Sequence, residues 1–394
     1  MLKIQDSKDK IAIVVVGYNR VKPLKRLLTS LEKATYPSDE IPLVISIDAS
    51  GMQELYTFVE SFHWSHGPKY TNIEKERLGL RRHILQCGDL TNYFKAIILL
   101  EDDIYVSEYF FNYVNSVVNY YYDDDRIGGF SLYHNEMVGG IPRIYIQDGS
   151  DSFLVQSPAS WGEGWTDKQW LKFRAWFDGM VDESLKDIDI PSNVKQWKSA
   201  WSKFYMAYLV ETGRYFVFPS VSLTTCFCDP GVHSAGVASN VCTGQVNLLA
   251  GERDYRFKPF DQMTKYDIYG SNEEIYGWLG IEKENLCINL YGNNENLRSA
   301  RFLLSPFEYN YKIVKSYALA LRPIELNVRD NIEGEELFLY DTRDTTSIAS
   351  LRKKLPLSFV NYFIRNFNKG LLNRFVLSNY MRILKNKLKI SFHS

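Results

Sequence analysis

Two hydrophobic rhythms alternate along the first 122 residues. Ile11 to Val16 is an unbroken apolar run closed by Gly17, which predicts a strand buried on both faces. Leu24, Leu27, Leu28 and Leu31 then recur at helical spacing, with Pro23 in the first turn. Leu43 to Ile47 repeats the strand pattern and ends in Asp48, and Leu55, Phe58, Val59 and Phe62 repeat the helical one. Lys69 to Ile73 reads as a third strand and Leu80 to about Cys87 as a helix. Ile97 to Leu100, too short to cross a membrane, reads as a further buried strand. A helix from Glu108 to Tyr122 is expected to bury Phe111, Val114, Val118 and Tyr121. Strands and helices in strict alternation predict an α/β fold around a mostly parallel, doubly wound sheet.

The pattern is weaker further on. Residues 139–152 read as a Gly-rich loop, and Ser157 to Trp176 is dense in Trp and Gly. Short strand-like runs and turns such as Gly292-Asn293-Asn294 predict a smaller mixed lobe. The expected division is 1–250 for the main domain, 251–350 for the small lobe and 351–394 for a basic tail.

The apolar run at 97–100 ends abruptly in Glu101-Asp102-Asp103. Ligands of open α/β sheets bind just beyond the carboxyl ends of such strands. Three carboxylates there repel one another unless neutralised. Hard divalent cations take oxygen ligands, commonly one or two carboxylates plus substrate phosphates. The triplet therefore predicts a metal site for a phosphate-bearing substrate. The competing reading is a helix cap, with Ser107 capping a helix that starts near Glu108, and the later Asp123-Asp124-Asp125 run reads as a solvated turn.

Composition sharpens the picture at one point. The formal net charge of −1 hides ten Lys and Arg with no acid in 351–394, against a net −11 in residues 1–350. A body of that sign repels phosphate backbones, so nucleic-acid binding is not expected. Cys226-x-Cys228 lacks a matching second pair for zinc, and the five cysteines read as reduced cytosolic thiols. The amino-terminal residues hold no apolar signal core, and no stretch is long enough to span a membrane.

Five landmarks in this order resemble GT-A-fold glycosyltransferases over about residues 10–240. They are Val16-Gly17-Tyr18-Asn19-Arg20, Asp48, Glu101-Asp102-Asp103, Trp161-Gly162-Glu163-Gly164-Trp165 and His233 within Gly231-Val232-His233-Ser234. The nearest resemblance is to the inverting N-acetylglucosaminyltransferase I-like families and related bacterial polysaccharide enzymes. It implies a Rossmann-like, mostly parallel GT-A sheet with a small C-terminal lobe and a basic helical tail.

By resemblance, Tyr18, Asn19 and Arg20 line the nucleotide pocket and Asp48 contacts base or ribose. Glu101 and Asp102 face the nucleotide sugar, while Asp103, with His233 from the far side, holds Mn²⁺ or Mg²⁺. Arg81 or Arg82 is the candidate for the pyrophosphate. The family's catalytic base sits in an acidic stretch that here reads Trp201-Ser202-Lys203-Phe204, without an acid. Glu163, and after it Asp167, is the expected replacement, and Trp161 and Trp165 are candidates for stacking on an acceptor sugar. The implied reaction moves a sugar from a nucleotide sugar, UDP-linked by preference, to a saccharide or lipid-linked acceptor in bacterial surface polysaccharide synthesis.

Two rivals stay open on the residues alone. A sugar-phosphate nucleotidyltransferase would carry a Gly-rich basic loop after the first strand, where Gly17-Tyr18-Asn19-Arg20 stands instead. A non-catalytic, membrane-docked carbohydrate-binding module is the other. The tail mixes Lys and Arg with Leu, Phe and Ile, as in Ile383-Leu384-Lys385-Asn386-Lys387-Leu388-Lys389. That suits either an amphipathic contact with an anionic leaflet or a cap on the acidic body. A cytoplasmic protein, peripheral at the inner face of the plasma membrane, is the expected setting.

Overall fold

A computed structural model describes residues 4, 6–138, 141–198, 200–227, 229, 244–296, 300–345 and 357–364, with 370, 373, 374, 377, 378 and 380. Four parallel strands form one half of its main sheet: β1 (Ser7–Gly17), β2 (Leu43–Ile47), β3 (Lys69–Ile73) and β4 (Phe94–Glu101). Between them run the helices α1 (Val21–Glu32), α2 (Gln53–Ser61) and α3 (Leu80–Gly88). A short strand, β5 (Ile104–Val106), and the helix α4 (Phe110–Tyr121) follow. The full order across nine strands is Lys265–Tyr266, Ser152–Val155, Tyr215–Pro219, Ile127–Ser131, Glu163–Thr166, β4, β1, β2, β3. This is the α/β, mostly parallel sheet that the patterning predicts.

The continuous apolar runs are explained by a core on each face. Successive strand residues point to opposite sides. Ile11, Ile13 and Val15 of β1, with Ala96, Ile98 and Leu100 of β4, pack with the leucine stripe of α1 and with Phe110, Phe111 and Val114 of α4. Ala12 and Val14, with Ile97 and Leu99, pack instead with Ile84 of α3, Trp165, Trp170, Phe173 and Tyr205. Phe111, Val114, Val118 and Tyr121 are all buried, as the helical spacing requires. The α4 cap differs from the expectation: Tyr109 holds the N-cap position and the buried Ser107 hydroxyl has no partner. Asp123, Asp124 and Asp125 do form a surface turn, paired with Lys168, Arg126 and Lys172.

The Glu163–Thr166 strand lies antiparallel to β4, with Gly164 opposite Ile98. A Cβ at Gly164 would overlap the Ile97 carbonyl and the Phe130 ring, so only glycine allows this approach. Trp165 is fully buried among Trp170, Trp201 and Tyr205. It is a core residue, not a sugar platform.

A second sheet, ordered Leu286–Ile288, Phe302–Ser305, Leu337–Thr345, Tyr311–Tyr317, builds the small lobe. The expected boundary at residue 250 falls too early. Lys265–Tyr266 pairs with Ser152–Val155 on the main sheet, and Phe260 and Met263 sit in the main core. Of the tail, the helix Leu357–Ile364 packs on the small lobe through Phe359 and Tyr362, both buried. The run 383–389 lies outside the described residues.

Where the lobes meet, Arg143 lies over the rings of Tyr145 and Tyr266, 4.4 and 4.1 Å from their centroids. Glu325 nearby is fully buried, and burial pushes its carboxyl up to about 7 against the pull of Arg143. Between the ordinary 4.5 and about 7 the native chain keeps a proton that the unfolded chain has released. Stability therefore falls as pH rises through that window. Glu325→Gln is expected to add about 3 kcal/mol at pH 8 and almost nothing at pH 4, at about 1.4 kcal/mol per unit. Urea unfolding at both values checks this; an equal gain at both would assign the effect to packing.

Candidate active site

β1 to β4 all end on one edge of the sheet, because they are parallel. Val16 and Glu101 are register neighbours there. The chain beyond β1, the end of β2, the turn into α3 and the triplet after β4 enclose a cleft of about 280 Å³. Tyr18, Asn19, Arg20, Asp48, Glu101, Asp102 and Asp103 all line it. Three of the five landmarks, residues 16–20, Asp48 and the acidic triplet, thus share one cavity at the carboxyl edge.

Arg20, the N-cap residue of α1, organises the acids. Its guanidinium grips both oxygens of Asp102, donating to Oδ2 from Nε at 3.2 Å and to Oδ1 from Nη2. Its Nη1 donates to Asp103 Oδ2 at 3.3 Å and to the Asp229 carbonyl at 3.0 Å. One cation does not offset three carboxylates. Burial pushes Glu101 up to about 8, reinforced by the charges of Asp103 and Asp102. Burial also lifts Asp102 to about 6, outweighing its bonds to Arg20. The cleft therefore keeps a demand for positive charge.

Asp48 lines the cleft and is tied to the neighbouring backbone. Its Oδ1 accepts from the amides of Ala49 and Leu78 at 2.9 and 2.7 Å, and its Oδ2 from Gly79 at 2.9 Å. A buried carboxylate so engaged fixes the turn into α3. That turn carries two cleft residues that the sequence reading passed over, Arg77 and Gly79. Arg77 stacks on the Tyr18 ring at 4.8 Å. Gly79, at φ +76°, caps α3 and leaves its amino terminus open to the cleft, a favourable seat for an anion. His83, also missed, lines the cleft with Nε2 2.8 Å from Ser46 Oγ. Burial holds its imidazole below the usual range, so it is neutral at pH 7. The glycine before the Leu80 helix was the available signal for this wall.

The remaining candidates fall elsewhere. Arg82 is exposed outside the cleft, and Arg81 is turned away onto Asp182 and the Lys198 carbonyl. Asp167 is at the wrong edge. Its neighbour Thr166 sits opposite Ala96, five residues before Glu101, which is about 16 Å at strand rise. There it accepts from Lys8 and from the Tyr122 hydroxyl. Glu163 lies beside Leu99 but is wholly buried, and Oε2 accepts from the Ala159 amide at 3.1 Å. Burial and the Glu101 charge push its carboxyl well above the usual carboxylate range, which works against the charged form that a base needs. Trp161 is half-buried and packs edge-on against Tyr133 at 4.8 Å. His233 lies outside the described residues.

Whether these residues suit a divalent cation can be judged from their oxygens. Asp102 spends both on Arg20 and drops out. Asp103 meets Arg20 through Oδ2, and Glu101 faces the cleft. Among the described residues no three His, Cys, Asp or Glu side chains converge on one point. Two carboxylates do suit a hard cation that completes its shell with phosphate and water.

Among the described residues no helix is long and apolar enough to cross a membrane. No family model matches the chain, and no curated protein does. Among solved structures it is similar to S. aureus TarS. Against TarS residues 1–349 the TM-score is 0.36 at 14% identity, covering 56% of this chain and 60% of that one. Against the same protein in complex with UDP-GlcNAc the values are 0.37, 15%, 58% and 62%. Against the longer TarS chain they are 0.34, 12%, 55% and 36%, so this chain spans less than two thirds of each of these TarS chains.

Proposed function

We propose that the protein is a glycosyltransferase that takes a sugar from a nucleotide sugar, UDP-linked by preference, for a surface polysaccharide or glycolipid. The observation that carries this is the single cleft at the carboxyl edge, where a Tyr18–Arg77 stack, the amino terminus of α3 and the acidic triplet face one another. The stack offers a flat, cationic wall to a nucleobase. Gly79 and α3 offer amide dipoles to the diphosphate. Arg20 keeps Asp102 and Asp103 fixed relative to that wall. Asp103 and Glu101 would hold Mn²⁺ or Mg²⁺. Such a cation, when bound, supplies Lewis-acid stabilisation of the departing diphosphate. Inversion at the anomeric carbon is part of the proposal by sequence resemblance alone.

A nucleotidyltransferase is less well supported, since no Gly-rich basic loop follows β1. The test is a thermal-shift panel of UDP-, GDP- and dTDP-sugars, each with and without Mn²⁺, paired with an assay for nucleoside diphosphate release. A ligand present at about a hundred times its Kd adds about 2.7 kcal/mol to stability. The UDP-sugar with Mn²⁺ is expected to give the largest rise, together with slow UDP release. No shift with any nucleotide sugar would sink the proposal.

A further inference from the structure

A second concavity, of about 290 Å³, runs along α1 and is lined by Lys22, Lys25, Arg26, Thr29, Lys33 and Tyr105. Helical geometry explains the set. Residues 22, 25, 26 and 29 of α1, with Lys33 at its C-cap, share one face, opposite the buried leucine stripe. Lys22 and Lys33 are 11 residues apart, about 16 Å along the axis. The groove is therefore elongated.

Its charge is unusual for this molecule. Residues 1–350 carry a net −11, yet no acid lines the groove. Among the described residues Lys22, Lys25 and Lys33 have no ion-pair partner, a state they share with other lysines such as Lys95 and Lys315, but here three such lysines line one concavity with an arginine. Arg26 is held in place by the Asp229 carboxylate and stacks on the Phe227 ring at 3.8 Å. Tyr105 supplies a half-buried ring at the groove wall, packed against Phe227. A row of cations about 16 Å long suits an extended ligand that carries negative groups at intervals.

The groove also adjoins the cleft. Lys22 follows Arg20 by two residues, and Tyr105 follows Asp103 by two. Asp229 bridges them, accepting from Arg20 through its carbonyl and from Arg26 through its carboxylate. We propose that this groove holds the acceptor, and that the acceptor is an anionic chain bearing phosphate or carboxylate groups at intervals. The word acceptor rests on the glycosyltransferase reading above; the anion site does not. A concave, elongated shape favours a chain over the plane of a lipid leaflet.

The test uses the full chain and four probes: linear inorganic polyphosphate, a polyuronate, a neutral dextran of similar length, and phosphatidylglycerol vesicles. Binding is followed by fluorescence anisotropy or cosedimentation, with the UDP-sugar thermal shift measured in parallel. The parent should bind polyphosphate or the polyuronate, more weakly as ionic strength rises, and leave dextran free. The stronger of the two anionic chains names the anion. The exposed double variant Lys25→Glu/Lys33→Glu should bind that chain at least tenfold more weakly and keep the parent's UDP-sugar shift. Equal binding of dextran, an unchanged affinity in the variant, or lysine-dependent binding of vesicles alone would overturn the proposal. Anionic-chain binding without a UDP-sugar shift in either protein would overturn the acceptor role, together with the glycosyltransferase reading.

Discussion

Arg20→Met is expected to weaken nucleotide-sugar binding about a hundredfold and to cost about 3 kcal/mol of stability. Both effects have one origin. The Asp102 side chain is only 6% exposed and has both oxygens on this guanidinium. Removing one partner of a buried pair leaves an uncompensated charge, which costs about 3–5 kcal/mol. The low end applies because Asp102 and Glu101, already pushed up to about 6 and 8, can answer by taking protons. The stability loss should therefore be smaller at pH 5 than at pH 8. Loss of affinity has a second cause, since the methionine side chain no longer holds Asp103 against the diphosphate side of the cleft. A hundredfold is about 2.7 kcal/mol of binding energy. Adding Asp102→Asn should restore much of the stability and little of the affinity. Calorimetric titration with UDP-sugar and urea unfolding separate the two, and parent-like affinity in Arg20→Met would remove this residue from the site.

Asp48→Asn is expected to cost about 2 kcal/mol and to weaken donor binding about tenfold, although the side chain changes by one atom. Asp48 accepts three amide hydrogens, divided between its two oxygens. An asparagine amide offers one oxygen and sets an N–H against at least one of those donors. Leaving a buried donor unsatisfied costs about 1–3 kcal/mol. The strain falls on the turn into α3, so Arg77 and Gly79 lose their fixed positions while the triplet keeps its own. Asp103→Asn should do the reverse, sparing the fold and donor stacking but lowering turnover. Comparing KM and kcat for the two variants tests this division; identical profiles would mean that Asp48 acts on the triplet directly.

The parallel half of the sheet was readable because β1, β2 and β4 are buried on both faces along most of their length and each helix on one. Period and burial then agree, as in Ile11–Val16 and the stripe from Leu24 to Leu31. The cleft's acidic wall followed from the rule that ligands sit at carboxyl edges. What failed was direction. Nothing local in Glu163-Gly164-Trp165-Thr166 shows that this strand runs antiparallel to β4. That reversal carries Asp167 away from the acids and buries Glu163 beneath them. At Asp48 the sequence pattern placed the residue in the cleft but left out its bonds to the turn into α3, because the amides of Leu78 and Gly79 lie some 30 residues away in the chain. The lobe boundary was missed because Lys265–Tyr266 is a two-residue edge strand, too short to leave a period.

The helix Leu357–Ile364 bears on any attempt to study the basic tail by shortening the chain. A cut after Asp344 removes all ten of the tail's positive charges, but it also strips Phe359 and Tyr362 from the small lobe. Phe359 lies against Phe307, and Tyr362 donates to the Leu321 carbonyl while its own carbonyl accepts from Arg322. Losing two buried rings costs several kcal/mol by itself. Such a protein would release a membrane or lose activity through a damaged lobe, whatever its charges had done. A cut after Ile364 keeps both aromatic anchors, and it still discards the seven basic residues from Arg365 onward.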